Sequence, residues 1–353
     1  MSNTNINKKV SKMIQKGKML TANSYVILRN PINLDRNYKA YRFEGRKPCI
    51  CNWEGCNNVC NKDNNSVKVI TPFAPLGLTL CHYHASLTQC YSSENTVYNG
   101  KPTQDNITCS CELETSNNTP ISRAVLGLTK YGFHCLPTSD SSVGAWSEDS
   151  VEHKTPIYHS LQGATKLFGA FESLLDEGYI EMDNTCGSHL HTGTSDNEID
   201  FRYLFSNVEE YFNAFGALYE YLDKMPNEKM KSYFGRGFVG YARTLRRKNG
   251  RYVLPKHDGN GKNLHEDRYL SGSDNLYGTG SYDCTQHLLA FNLQHSYSIE
   301  FRLARFTSAE QYRRITVVMH NMVIFLRYYA RHEITIETLS NALVALFKEC
   351  YPY

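Results

Sequence analysis

Residues 297–306 read YSIEFRLARF, in which Tyr297, Ile299, Phe301 and Leu303 alternate with Ser298, Glu300 and Arg302. A period of two predicts a strand over 298–304 with one apolar face. The same reading predicts strands near 109–116, 150–157 and 187–192. Apolar residues spaced three and four apart predict helices over Leu161–Asp176 and Val208–Leu222, a long helix from Ser308 to about Arg331, and another over Ile336–Phe347. Ser206-x-x-Glu209 and Ser308-x-x-Gln311 read as capping boxes that open two of them. Helices and strands do not alternate strictly, so the expected class is α+β with a largely antiparallel sheet and flanking helices.

The polar positions within the strands change the picture. Glu112 and Glu114, Glu152 and Lys154, His189 and His191, and Glu300 and Arg302 are each two residues apart. Each pair therefore projects from one face of its strand. One such pair is usually a solvated face. Four pairs inside otherwise apolar strands point to a shared polar cavity, provided the strands are neighbours. Several carboxylates packed together repel by about 4 kcal/mol per close pair at an effective dielectric near 20. A hard divalent cation, Mg²⁺ or Mn²⁺, removes that cost. An arginine beside such cations suits nucleotide phosphates.

The chain has 353 residues, 21% charged and 41% hydrophobic, with a net charge of +3. That balance is ordinary for a globular protein and too small to imply nucleic acid by itself. Three regions follow from composition. Residues 1–47 are a basic arm, with a helix expected around Val10–Met19 and phosphate contact left open. Residues 48–100 are cysteine-rich. Residues 105–353 hold the periodic elements. The N-terminus lacks the apolar core of a secretory signal. The greasiest run, Ile315–Leu326, is broken by His320 and Asn321 and is too short to span a bilayer. The expectation is a cytoplasmic protein with no membrane contact, whose 12 cysteines stay reduced. Cys51, Cys56, Cys81 and His84 give C-x4-C…C-x2-H, the spacing of a structural zinc site, with Cys49, Cys60 and His82 near enough to substitute.

In order, E-x-E, D-x-S (Asp140, Ser142), VEHKTPI, CGSHLHTG, YFGRGFVGYA and IEFR resemble the motifs of the amidoligases, carboxylate–amine ligases related to glutamine synthetase and glutamate–cysteine ligase. The match covers about 108–330. The resemblance implies a glutamine-synthetase-like sheet, and it leaves the zinc module read from the cysteine spacing, and the basic arm, outside. It implies an ATP-dependent ligase that forms an amide or peptide bond through an acyl phosphate. Glu112, Glu114, Glu152, His189 and Glu300 would hold Mg²⁺ around ATP, with His191 beside them. Arg302 and Arg236 would neutralise the transferring phosphoryl group, and Asp140 would bind or deprotonate the amine. The partners implied are a carboxylate and an amine, a peptide or protein among the options; an oligomer is left open. The chain departs from the family at Ser141, where glycine is common, at His153 and Lys154, which add charge to a usually apolar strand, and at Asp149, which competes with Asp140. Two other readings stay open: a metal-dependent nuclease or phosphohydrolase, which would act without ATP, and a nucleotide-binding pseudoenzyme.

Overall fold

The computed structural model describes residues 105–118, 150–274 with short breaks, and 288–353. It also describes the segments 39–42, 47–51, 57–61, 63, 67–71, 74–81, 98–99 and 136–138. The expected helix at Val10–Met19 lies outside the described residues, as do Cys56, His82, His84, Asp140, Ser142 and Asp149.

The protein is a mixed α/β structure built on antiparallel sheets, with five helices among the described residues. The main sheet has eight strands: β1 (Tyr98–Asn99), β2 (Ile107–Thr115), β3 (Leu136–Thr138), β4 (Val151–Lys154), β5 (Ile157–Tyr158), β6 (Ser188–Thr194), β7 (Phe291–Asn292) and β8 (Ser298–Phe301). Their order is β7-β8-β6-β2-β4-β3, and β5 bridges β1 and β2. All pairings are antiparallel except β5 with β1. The four strands expected from alternation are thus contiguous, as β8-β6-β2-β4. The predicted strand over 150–157 is two strands, broken around Thr155, whose hydroxyl accepts from the Cys111 N–H at 2.8 Å.

One face of this sheet is apolar. Cys111, Leu113, Leu190, Ile299 and Phe301 are all buried. Helices α1 (Leu161–Asp176) and α4 (Ala309–Ala330) pack against β2, and α4 also against β6. Phe168, Phe171, Phe306 and Tyr312 interlock there through edge-on and tilted ring contacts. Burial of each such ring contributes roughly 1.5–3 kcal/mol. His153 belongs to this face as well: it is buried, bonded to Asn118 at 2.9 Å and edge-on to Phe171. Tyr297, by contrast, ends the alternation and is 57% exposed.

Helix α2 (Val208–Asp223) packs on α5 (Ile336–Cys350), and α5 on α4. Ser308 caps α4 by accepting from the Gln311 N–H at 3.1 Å. The cap of α2 falls one residue later than the sequence suggested. Asn207 accepts from the Glu210 N–H at 2.9 Å, and Glu210 accepts in return from the Ser206 N–H at 2.6 Å. The cap is an amide in place of a hydroxyl, and the Glu210 side chain reaches back to the residue before the cap and not to the cap itself.

Helix α3 (Asn227–Phe234) stops at Gly235, which has φ 77°. A Cβ there would lie 2.2 Å from the Arg305 carbonyl oxygen, so only glycine fits. That stop delivers the next residue, Arg236, into the interior. A smaller sheet of Arg246–Lys248, Arg251–His257 and Asn263–Leu270 follows, and Asn249-Gly250, with φ 50° and 77°, makes its first turn. Toward the N-terminus, Lys39–Arg42, Val67–Thr71 and Ala74–Leu80 form a three-stranded sheet, and Cys49–Ile50 pairs with Val59–Cys60.

Candidate functional site

The other face of the main sheet carries the polar pairs, and strand register sets their neighbours. Glu112 stands opposite His189 on β6 and Lys154 on β4. Glu114 stands opposite Glu152. Glu300 stands opposite His191 on one side and Asn292 on the other. Because alternation puts every second residue on the same side, one register brings eight of these groups together.

The contacts are close. His189 Nδ1 lies 3.2 Å from both Glu112 Oε2 and Glu300 Oε1. Its Nε2 lies 3.7 Å from Glu114 Oε1. His191 Nε2 is 3.6 Å from Glu112 Oε2. Lys154 Nζ bridges Glu112 at 3.5 Å and Glu152 at 3.2 Å. Arg302 Nη1 donates to Glu300 Oε1 at 2.5 Å, and Asn292 Nδ2 donates to Glu300 Oε2 at 2.7 Å. Glu114 accepts from the Gly187 N–H. Glu114, Glu152, His189, Glu300, Arg302 and Arg236 are all buried.

Arg236 donates to the carbonyl oxygens of Leu303 at 3.3 Å and Arg302 at 2.5 Å. Gly187 sits where three groups meet. A methyl there would come within 3.0 Å of His189 Nε2, 3.1 Å of Arg236 Nη2 and 3.2 Å of Glu114 Oε2. The glycine therefore lets the guanidinium, imidazole and carboxylate approach one another.

The electrostatics are self-compensating. Burial acts to raise the Glu112 carboxyl, but the nearby His191 imidazole and the hydrogen-bonded His189 hold it well below the usual carboxylate range. Burial likewise opposes the charge on Glu300, and Arg302, then His295, His191 and His189, overcome it. On His191 burial acts against protonation, yet Glu112 raises its basicity above the ordinary histidine value. On Lys154 burial is outweighed by Glu112 and then Glu152, so its ammonium is held charged. Four carboxylates thus face Lys154, Arg236 and Arg302, with imidazoles set between them.

Two groups of side chains have the spacing of metal ligands, each offering donor atoms within 4.8 Å of one another: Glu112, Glu152 and His189; and His191, His295 and Glu300. The Nε2 atoms of His189 and His191 are buried without a hydrogen bond. Orphaned imidazole nitrogens beside carboxylate oxygens fit a divalent cation, which would satisfy both. Lys154 Nζ lies between Glu112 and Glu152, where it would compete with a cation bound by them. Lys154→Gln is therefore expected to tighten Mg²⁺ binding about fivefold, since a half-exposed competing charge is worth roughly 1 kcal/mol. Titration calorimetry reads this directly, and weaker binding in the variant would show that Lys154 helps to hold the ligand.

Compared with family models, curated proteins and solved structures, this chain matches none. What the site can do follows from its own geometry.

That geometry brings together Glu112, Glu114, Glu152, His189, His191, Glu300, Arg302 and Arg236, while Asp140 lies outside the described residues. Sequence reasoning missed Asn292, Gly187 and His295. Asn292 and His295 come from a two-residue strand and the loop after it, where no periodicity exists to flag them. In the cysteine-rich segment the Cys81 N–H donates to Cys51 Sγ at 3.3 Å, and Cys49 pairs in register with Cys60. Cys56 and His84 lie outside the described residues.

Proposed function

We propose that the protein is an ATP-dependent carboxylate–amine ligase, forming an amide or peptide bond through an acyl phosphate on a glutamine-synthetase-like sheet. The observation that carries this conclusion is the meeting of four carboxylates and two histidines on one sheet face, set by strand register, with Arg302 just beyond β8 and Arg236 just beyond α3 reaching the same place. The motif order that resembles the amidoligases supports the same conclusion.

Bound Mg²⁺ or Mn²⁺ supplies charge neutralisation at phosphate oxygens. Glu112, Glu114, Glu152, His189 and Glu300 would hold the cations and so orient ATP. Arg302, fixed by Glu300, and Arg236, fixed by two carbonyls, supply positive charge where the γ-phosphoryl group transfers. A substrate carboxylate oxygen attacks the γ-phosphorus, and ADP leaves. The amine nitrogen then attacks the acyl carbon, its proton passes to a base, and the C–O bond to phosphate breaks. We assign that base role to Asp140.

The cysteine-rich segment is proposed to hold a structural zinc through Cys51, Cys56, Cys81 and His84. An amide N–H directed at a cysteine sulfur between two of these residues supports it. Elemental analysis of the purified chain is expected to find zinc, one equivalent of which is lost in Cys51→Ser together with the local fold. A zinc-free native chain would refute the assignment.

The test of the ligase reading is ADP release from ATP and Mg²⁺ with pools of carboxylates and amines, peptides included. Release that needs both substrates supports it. Cleavage of nucleic acid without ATP would favour the nuclease reading, and Mg–ATP binding without turnover on any pool the pseudoenzyme.

A further inference from the structure

One end of the site differs in chemistry from the other. Glu112, Glu152 and His189 offer two oxygens and one nitrogen, which suits a hard cation. His191, His295 and Glu300 offer two nitrogens and one oxygen. The rings of His191 and His295 stand edge to face with centroids 4.8 Å apart. His295 Nε2 lies 3.4 Å from Glu300 Oε2. Glu300 faces both ends: Oε1 toward His189 and Arg302, Oε2 toward Asn292 and His295. His191 Nε2 is buried without a hydrogen bond, whereas His295 is about half-exposed, so this end opens to the surface.

We propose that His191, His295 and Glu300 form a separate site for a late first-row divalent metal such as Zn²⁺ or Co²⁺, with Glu300 shared between it and the carboxylate-rich end. Paired imidazoles raise affinity for such ions, and Mg²⁺ prefers oxygen donors and retains its waters. Three protein ligands leave positions for water or substrate. The proposal rests on the metal-binding part of the functional reading and not on the ligase chemistry.

The experiment titrates Co²⁺ into the full-length, metal-stripped chain and compares it with His295→Ala under identical conditions. Both proteins carry every cysteine, so their difference spectrum isolates the His295-dependent site. Wild type is expected to show one additional equivalent with weak visible bands and no thiolate charge-transfer band in the near ultraviolet. His295→Ala is expected to lose that equivalent, its affinity falling tenfold or more, and equimolar Mg²⁺ is expected not to displace Co²⁺ from wild type. His295→Asp, which restores an oxygen donor, is expected to bind Co²⁺ with intermediate affinity and to become sensitive to Mg²⁺. Identical titrations of wild type and His295→Ala would overturn the proposal, as would displacement by equimolar Mg²⁺. Because no nucleotide is present, a failed ligase assay leaves this result interpretable: the metal site then stands and the ligase reading falls.

Discussion

Replacing Arg302 with Met will destabilise the folded protein by about 3–5 kcal/mol, because it strands a buried carboxylate. Glu300 is 1% exposed in its side chain and Arg302 only 7%. Their bond at 2.5 Å is the closest neutralising contact that Glu300 makes. Asn292 at 2.7 Å and His189 at 3.2 Å offset part of the loss but do not replace the guanidinium charge. The Arg302 backbone bond to the Ala290 carbonyl remains, so β8 keeps its place beside β7. Denaturant unfolding measures the effect as a lower midpoint at unchanged slope. The double variant Glu300→Gln with Arg302→Met removes both charges and is expected to recover most of the loss. A single variant within 1 kcal/mol of wild type would mean that the pair is solvated.

Glu152→Gln is expected to lower Mg²⁺-dependent ATP turnover about 100- to 1000-fold, the scale on which a single electrostatic contributor to phosphoryl transfer acts. The variant keeps the shape of the side chain and its position opposite Glu114 on β2. It removes one anionic donor from the group that Glu112 and His189 complete. Stability is expected to change by less than about 1 kcal/mol, because the lost pairing with half-exposed Lys154 is offset by relief of repulsion between neighbouring carboxylates. Loss of turnover with a retained melting temperature separates a ligand role from a structural one. Unchanged turnover would remove Glu152 from the site.

Much of this site was legible because strand periodicity is binary. Once Leu113 and Leu190 are assigned to the core, Glu112 and His189 have only one other direction to point. The sequence does not encode by pattern that β2 lies between β4 and β6; that order depends on long-range pairing. The elements missed share a cause. In α3, only Met230 and Phe234 are buried, too few to establish a helical period over eight residues. The sheet from Arg246 to Leu270 carries charge at both ends, although its Asn249-Gly250 turn was a readable signal. His153, an added charge within a strand by sequence, proves to be a hydrogen-bonded residue of the opposite face. His295 and Gly187 act through position in a loop or a close approach, which residue type alone does not announce.

The polar sheet face is expected to drive phosphoryl transfer from ATP to a carboxylate. Positional isotope exchange tests it most directly. ATP labelled with ¹⁸O at the β,γ-bridge is incubated with the protein, Mg²⁺ and a carboxylate pool, without amine. The account predicts that the label scrambles into the non-bridging β-phosphoryl oxygens only when both carboxylate and Mg²⁺ are present, and that Glu152→Gln abolishes the exchange. A protein that binds no Mg–ATP, or that gives no exchange with any carboxylate and no ADP when amines are added, would contradict it.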